Sequence, residues 1–192
     1  MSRASDATPR RALRHVPNAI TVVRMLLIPV IGRLLLGERY VEAFWMLLAS
    51  AVSDLVDGQV ARRYNAHSRF GAIADPVADK LTMLTVTIIL VWQGLLPVWL
   101  AAAIVLRDVV IVAGALAYHR IVGNVEMAPT WLSKLNTVLE FTVLAAVIAD
   151  AAALIDDREW LPLMFAAVLA TVAASGAQYV WIWGRRAWAS VR

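Results

Sequence analysis

Residues 54–79 read DLVDGQVARRYNAHSRFGAIADPVAD and hold four aspartates, Asp54, Asp57, Asp75 and Asp79, at regular spacing. The chain around them is 61% hydrophobic with a mean hydropathy of +0.69, against roughly 45–50% apolar residues in an ordinary soluble domain. That composition identifies an integral membrane protein. The question set by the stretch is why segments apolar enough to enter a bilayer carry four carboxylates.

A transmembrane helix needs about 20 mostly apolar residues. Runs of that length, separated by Pro, Gly or charge, occur at about 17–36, 40–62, 71–93, 97–118, 131–154 and 160–183. The fold expected is an all-α membrane bundle of six transmembrane helices, a single domain over 1–192 of which residues 1–16 are a basic juxtamembrane segment. The N-terminal stretch is read as uncleaved, because its apolar run is too long for a signal peptide and no small-residue cleavage site follows. Lys and Arg concentrate on one side: Arg3, Arg10, Arg11 and Arg14, then Arg62, Arg63 and Arg69, then Arg120, then Arg185, Arg186 and Arg192. Cytoplasmic loops carry that excess, so both termini are expected in the cytoplasm, in the inner membrane if the source is bacterial. The opposite loops are then GER, QGLLP and IDDRE. The net charge of +4 is accounted for by topology and attraction to anionic headgroups, with no need for nucleic acid. No internal repeat is evident, and with no cysteine in the chain there is neither a disulfide framework nor a thiolate metal site.

On the second helix Asp54, Asp57 and Ala61 are spaced i, i+3, i+7. On the third, Gly71, Asp75 and Asp79 are spaced i, i+4, i+8. Each set shares a helix face, and the short connection between the helices makes them antiparallel neighbours, so the carboxylates converge near the cytoplasmic ends. A carboxylate at depth costs about 2.5–3.5 kcal/mol, on the order of 10 kcal/mol for the set, which requires compensation. Arg62, Arg63 and Lys80 stand at helix ends or beside an acid in sequence, where side chains do not face each other. Divalent metal compensates such a set directly. With oxygen ligands only, and His15, His67 and His119 off the acidic faces, hard cations such as Mg²⁺ or Mn²⁺ fit and zinc does not. Two ions sharing carboxylates suit a phosphoryl displacement, which points to a substrate containing a diphosphate. Gly58 and Ala61 leave that surface small, and Arg62 reads either as a phosphate partner or as a positive-inside anchor.

Asp54, Asp57, Gly58, Ala61, Arg62, Gly71, Asp75 and Asp79 fill the pattern D-x-x-D-G-x-x-A-R, eight residues, G-x-x-x-D-x-x-x-D. It resembles the signature of the CDP-alcohol phosphatidyltransferase family, whose members also have six transmembrane helices. The resemblance implies two divalent metal ions held by Asp54, Asp57, Asp75 and, in part, Asp79 against the diphosphate of a CDP-linked lipid. It makes Asp79 the general base as well, gives Gly58, Ala61 and Gly71 the role of leaving room for the cytidine nucleotide, and sets Arg62 on a phosphate. Pro17, Asn18, Thr21 and Arg24 resemble the first-helix pattern P-N-x-x-T-x-x-R of the branch making phosphatidylglycerol phosphate and cardiolipin, which implies that Asn18 and Thr21 also attend the CDP-lipid. Arg24 reads either as an interfacial anchor or as part of the site.

LRDVVIV, with Arg107 and Asp108, and PTWLSKLNTVLEF, with Lys134 and Asn136, resemble the cardiolipin-forming side of that branch. Arg107 and Lys134 are expected to bind the acceptor's phosphate. The reaction implied transfers a phosphatidyl group from CDP-diacylglycerol to phosphatidylglycerol, or alternatively to glycerol 3-phosphate, with release of CMP. Family members are often homodimers, and the resemblance implies no more than that. Glu140 reads as a buried polar contact or an acceptor residue, Asp150 as a snorkelling acid, and the tryptophans at helix ends as an interfacial belt. The rival from another class is a cation-coupled transporter, since intramembrane carboxylates also mark ion paths. Such a protein tends to show broken helices in two repeated halves, whereas this chain has a single acidic cluster.

Overall fold

The computed structural model of the chain describes residues 23–64, 71–122, 130–155 and 158–190. Six helices and no strand occur among them. The first, α1, covers residues 23–36; α2 is Tyr40–Tyr64, α3 Gly71–Trp92, α4 Val98–Val122, α5 Trp131–Ala151 and α6 Leu161–Ser190. The start of the first expected span and the segment 1–16 lie outside the described residues.

Three of these helices are long and apolar enough to cross a membrane: α4 over Val98–Ala117, α5 over Trp131–Ala151 and α6 over Leu161–Arg185. The outer surfaces of α2 and α3 are oily as well, where their side chains are described. Trp45 and Val52 on α2 and Val77, Leu81, Leu84 and Ile88 on α3 are exposed, as are Leu106, Val109, Val112 and Leu116 on α4 and Val138 on α5. Apolar side chains left outside on several helices need hydrocarbon around them, so the molecule is a membrane protein.

The chain divides into two compact units, Met1–Ile89 and Leu90–Arg192. In the first, a stripe of Ile31 and Leu35 on α1, Ala43 and Leu47 on α2, and Ala78, Val86 and Ile89 on α3 is buried. These recur at spacings of three and four, the period of one helix face. Gly32 brings α1 against Thr85 and Ile89 of α3. In the second unit α6 packs on both α4 and α5, and its buried Val168 and Val172 belong to one core with Leu100 and Ile104 of α4 and Val143, Leu144, Val147 and Ile148 of α5. Trp183 of α6 lies over Gly114 of α4 so closely that a methyl group there would overlap the indole ring. Tyr179 tilts against the same indole, with ring centroids 5.2 Å apart. Trp183 is therefore a packing residue of this unit, whereas Trp92, Trp99, Trp131 and Trp181 are exposed.

Three helix ends use one device. The NH of Arg39 donates to Leu34 O, that of Leu95 to Leu90 O and that of Leu154 to Ala149 O, each closing the last turn by a bond from six residues along the chain to one. The residue before each donor has positive φ: Glu38 at 57°, Gly94 at 73° and Ala153 at 53°. These are the ends expected to face away from the cytoplasm. Two of the three positions lack glycine and give no stop signal in the sequence, whereas in the structure the turn at Ala153 closes α5 at Ala151, before the predicted 154. By contrast α6 runs on to Ser190, beyond the predicted 183, because the end of an apolar run is not itself a stop signal. Its 30 residues span about 45 Å, more than a hydrocarbon core of about 30 Å.

Glycine is needed at 94 and missing at 153. Gly94→Ala should lower stability by about 1–2 kcal/mol, the left-handed penalty of a side chain. Ala153→Gly should raise it by up to about 1 kcal/mol, since relief of that penalty is partly offset by glycine's chain entropy. Thermal unfolding of the detergent-solubilised protein reads both, and shifts of the same sign would show that the turn does not limit stability.

Candidate active site

In the first unit the aspartate stretch is organised by an arginine from a different helix. Arg24, on the first turns of α1, is 5% exposed. One terminal nitrogen of its guanidinium contacts Asp54 Oδ1 of α2, and the other donates to Asp79 Oδ1 of α3 at 2.5 Å. Three helices thus meet at one guanidinium. The planar fork of arginine holds two carboxylates at once, as a point-like ammonium does not. The side chains of Asp54 and Asp79 are 37% and 50% exposed. Below them the Thr82 hydroxyl donates to Ala78 O at 2.9 Å, so the polar group next along α3 is satisfied by its own helix.

The structure therefore brings together Asp54 and Asp79, 25 positions apart in sequence. Asp57, Gly58, Ala61 and Arg62 follow Asp54 along the last turns of α2, and Gly71 and Asp75 occupy the first turns of α3; their places are given by position on the helix. Asn18 and Thr21 lie outside the described residues. Among the described residues no three carboxylate or imidazole side chains gather at one point. Two hard oxygen donors on neighbouring helices, converging on a shared cation, do have the chemistry that a divalent ion such as Mg²⁺ or Mn²⁺ requires.

Sequence reasoning sought the countercharge among Arg62, Arg63 and Lys80 and left Arg24 undecided between anchor and site. In the structure Arg24 is buried and paired with Asp54 and Asp79. The available signal was an arginine within the first apolar run, combined with an excess of acid on the next two helices.

The second unit has a polar core of its own. Arg107 of α4 is 6% exposed and donates from one terminal nitrogen to Ser133 Oγ of α5 at 2.6 Å and to Ser175 Oγ of α6 at 2.8 Å. The other terminal nitrogen pairs with Asp108 at 2.8 Å; the two are adjacent in sequence, and the length of the arginine side chain lets it fold back. Arg107 Nε has no hydrogen-bond partner among the described residues. Asn136 is fully buried and its Oδ1 accepts from Thr171 of α6 at 3.0 Å. The start of α5 is capped by Thr130, whose hydroxyl accepts from Ser133 N at 3.2 Å. Glu140 is buried at 2% exposure, while Lys134 is exposed. Asp150, expected to snorkel, is instead held by Arg158 Nε at 2.8 Å with its side chain 9% exposed.

A helical membrane protein with clustered acids and the signature spacing defines a class that acts on phosphorylated substrates within a bilayer. The family model described as CDP-alcohol phosphatidyltransferase matches residues 14–181, and the chain belongs to that family. Family members use a CDP-alcohol donor and an alcohol acceptor, and generally use divalent metals. The cardiolipin synthase (CMP-forming) of Rattus norvegicus is 29% identical over 193 residues, covering 92% of this chain and 64% of its own length. The probable cardiolipin synthase (CMP-forming) of Drosophila melanogaster is 31% identical over 151 residues, 70% of this chain and 47% of its own. A chloroplastic CDP-diacylglycerol--glycerol-3-phosphate 3-phosphatidyltransferase of Oryza sativa is 32% identical over 157 residues, 72% of this chain and 47% of its own. The chain thus spans about half to two thirds of the length of these relatives. No support for the cation-coupled transporter comes from these likenesses.

The hydroxyls around Arg107 are the part of this core that sequence reasoning passed over. Ser175→Ala should cost about 1–3 kcal/mol by leaving a buried guanidinium short of an acceptor. Lys134→Ala, at an exposed position, should stay within about 0.5 kcal/mol of wild type. Denaturation of the purified protein measures both, and equal effects would show that the Ser175 bond carries no stability.

Proposed function

We propose that the chain transfers a phosphatidyl group from CDP-diacylglycerol to a glycerol-type hydroxyl and releases CMP, with phosphatidylglycerol as acceptor. The observation that carries this reading is the convergence of Asp54 and Asp79 from α2 and α3 within a complete family signature. The mammalian and insect relatives named cardiolipin synthase support the acceptor. The rice relative, named for glycerol 3-phosphate, favours that compound as the second reading. The family match runs through both compact units, which supports one transferase domain over 1–192. Six spans with both termini cytoplasmic is the topology proposed, supported by the oily outer faces of α2 and α3 and by the distribution of Lys and Arg.

In this reading Asp54, Asp57, Asp75 and Asp79 hold two divalent ions, Mg²⁺ or Mn²⁺. Bound there, the ions would neutralise charge on the diphosphate oxygens. Arg62 pairs with a phosphate oxygen, Gly58, Ala61 and Gly71 leave the nucleotide room, and Asn18 and Thr21 attend the lipid. Asp79, half exposed beside Arg24, takes the proton of the acceptor hydroxyl as that oxygen attacks the phosphorus bearing diacylglycerol. The bond from that phosphorus to the CMP oxygen breaks, and CMP leaves with the electron pair. Arg107 and Lys134 bind the acceptor's phosphate. Arg107 is suited to this because its hydroxyl partners hold the guanidinium in place while Nε remains a donor.

EDTA should abolish CMP release from CDP-diacylglycerol and Mg²⁺ or Mn²⁺ restore it; full turnover in chelator would remove the metal reading. Asp79→Asn should lower turnover by about 10²–10⁴-fold with nucleotide binding largely kept, the loss expected of a base. Asp54→Asn should weaken metal and donor binding instead. Phosphatidylglycerol should be consumed faster than glycerol 3-phosphate, and the reverse order would select the second acceptor without touching the metal site.

A further inference from the structure

We propose that Arg24 is a built-in competitor for the metal-binding carboxylates, a tethered cation that sets how tightly the site takes its divalent ions. The proposal rests on the metal site described above. Arg24 is buried, and its guanidinium joins the two acids that the reaction assigns to metal, Asp54 on α2 and Asp79 on α3. A divalent ion binding those oxygens meets a positive charge already within hydrogen-bond distance of both. Like charges on one pair of ligands repel, so loading requires the guanidinium to give up at least one carboxylate. Its donors are then free for an anionic oxygen, the type of group that the diphosphate of a nucleotide-linked lipid presents. Arg24 thereby keeps the carboxylates neutralised within an apolar bundle and weakens metal binding by the free protein. An arginine that only oriented the carboxylates for ligation would do the opposite and strengthen it.

The two roles differ in the sign of one measurement. Mn²⁺ binding to the purified full-length chain, without donor lipid, is followed by the electron paramagnetic resonance signal of the free ion. Arg24→Gln should lower the Mn²⁺ Kd by about ten- to a hundredfold, the scale of one charge-assisted contact. Arg24→Lys keeps the charge on a compact ammonium that cannot bridge both acids; its Kd should fall between the two, and it gives the result if Arg24→Gln does not fold. In EDTA Arg24→Gln should melt below wild type, and saturating Mn²⁺ should close the gap. A Kd equal to or above that of wild type in the folded variant overturns the proposal while leaving the metal site standing. A wild-type chain that binds no Mn²⁺ overturns the metal site and this proposal together.

Discussion

A carboxylate in a membrane bundle is costly unless a countercharge stands beside it, and acids so placed pair with one another or with cations, or face a water-filled cavity. In this chain the requirement falls on Arg24, which gathers α1, α2 and α3 at one point by contacting Asp54 and Asp79. The rest of the first unit follows from it. α1 has to lie against both acidic helices for its arginine to reach them, and Gly32, facing Thr85 and Ile89, allows that close approach two turns further along. The apolar stripe Ile31, Leu35, Ala43, Leu47, Ala78 and Val86 then fills the space between the helices. Removing one partner from such a cluster is more damaging than never having built it, since the remaining charge is left without compensation.

The positions of the aspartates on their helices were legible in the sequence because helix phase is a local property: spacings of three, four, seven and eight place residues on one face whatever else the chain does. The countercharge was not. Arg24 is 30 residues from Asp54 and 55 from Asp79, and helical periodicity says nothing across that distance. It says only that the acids need a cation. The hydroxyl partners of Arg107 were hidden for a related reason. Ser133, Thr171 and Ser175 are small and polar, residues that a hydropathy reading passes over as packing positions, yet they are what a buried guanidinium and a buried asparagine need.

Helix ends show a second boundary to what could be read. QGLLP announces its turn through Gly94, and α3 ends at Trp92, one residue from the expected limit. The turns at Glu38 and Ala153 have the same hydrogen bonds and nearly the same φ with residues that give no such signal. The backbone bonds that close each turn hold a conformation that a non-glycine residue otherwise avoids. After residue 183 the helix runs through Gly184 and past the apolar limit, because one glycine inside a helix is tolerated and is not by itself a stop.

Among the described residues each compact unit buries one arginine, Arg24 and Arg107, and the partners separate their roles. Arg107 is surrounded by neutral hydroxyls and an acid on its own helix, Ser133, Ser175 and Asp108. Two of these three partners are hydroxyls, poor ligands beside carboxylates, so a cation that took Asp108 would still leave the guanidinium held by Ser133 and Ser175; its orientation is held and its charge stays in place. Arg24 is held by carboxylates that are themselves 37% and 50% exposed, and these are the preferred ligands of hard divalent ions. A buried charge whose partners are open to a stronger competitor is exchangeable, whereas one whose partners are not is fixed. That difference suits Arg107 to presenting a standing positive charge and Arg24 to yielding its place, and it follows from partner chemistry within each unit alone.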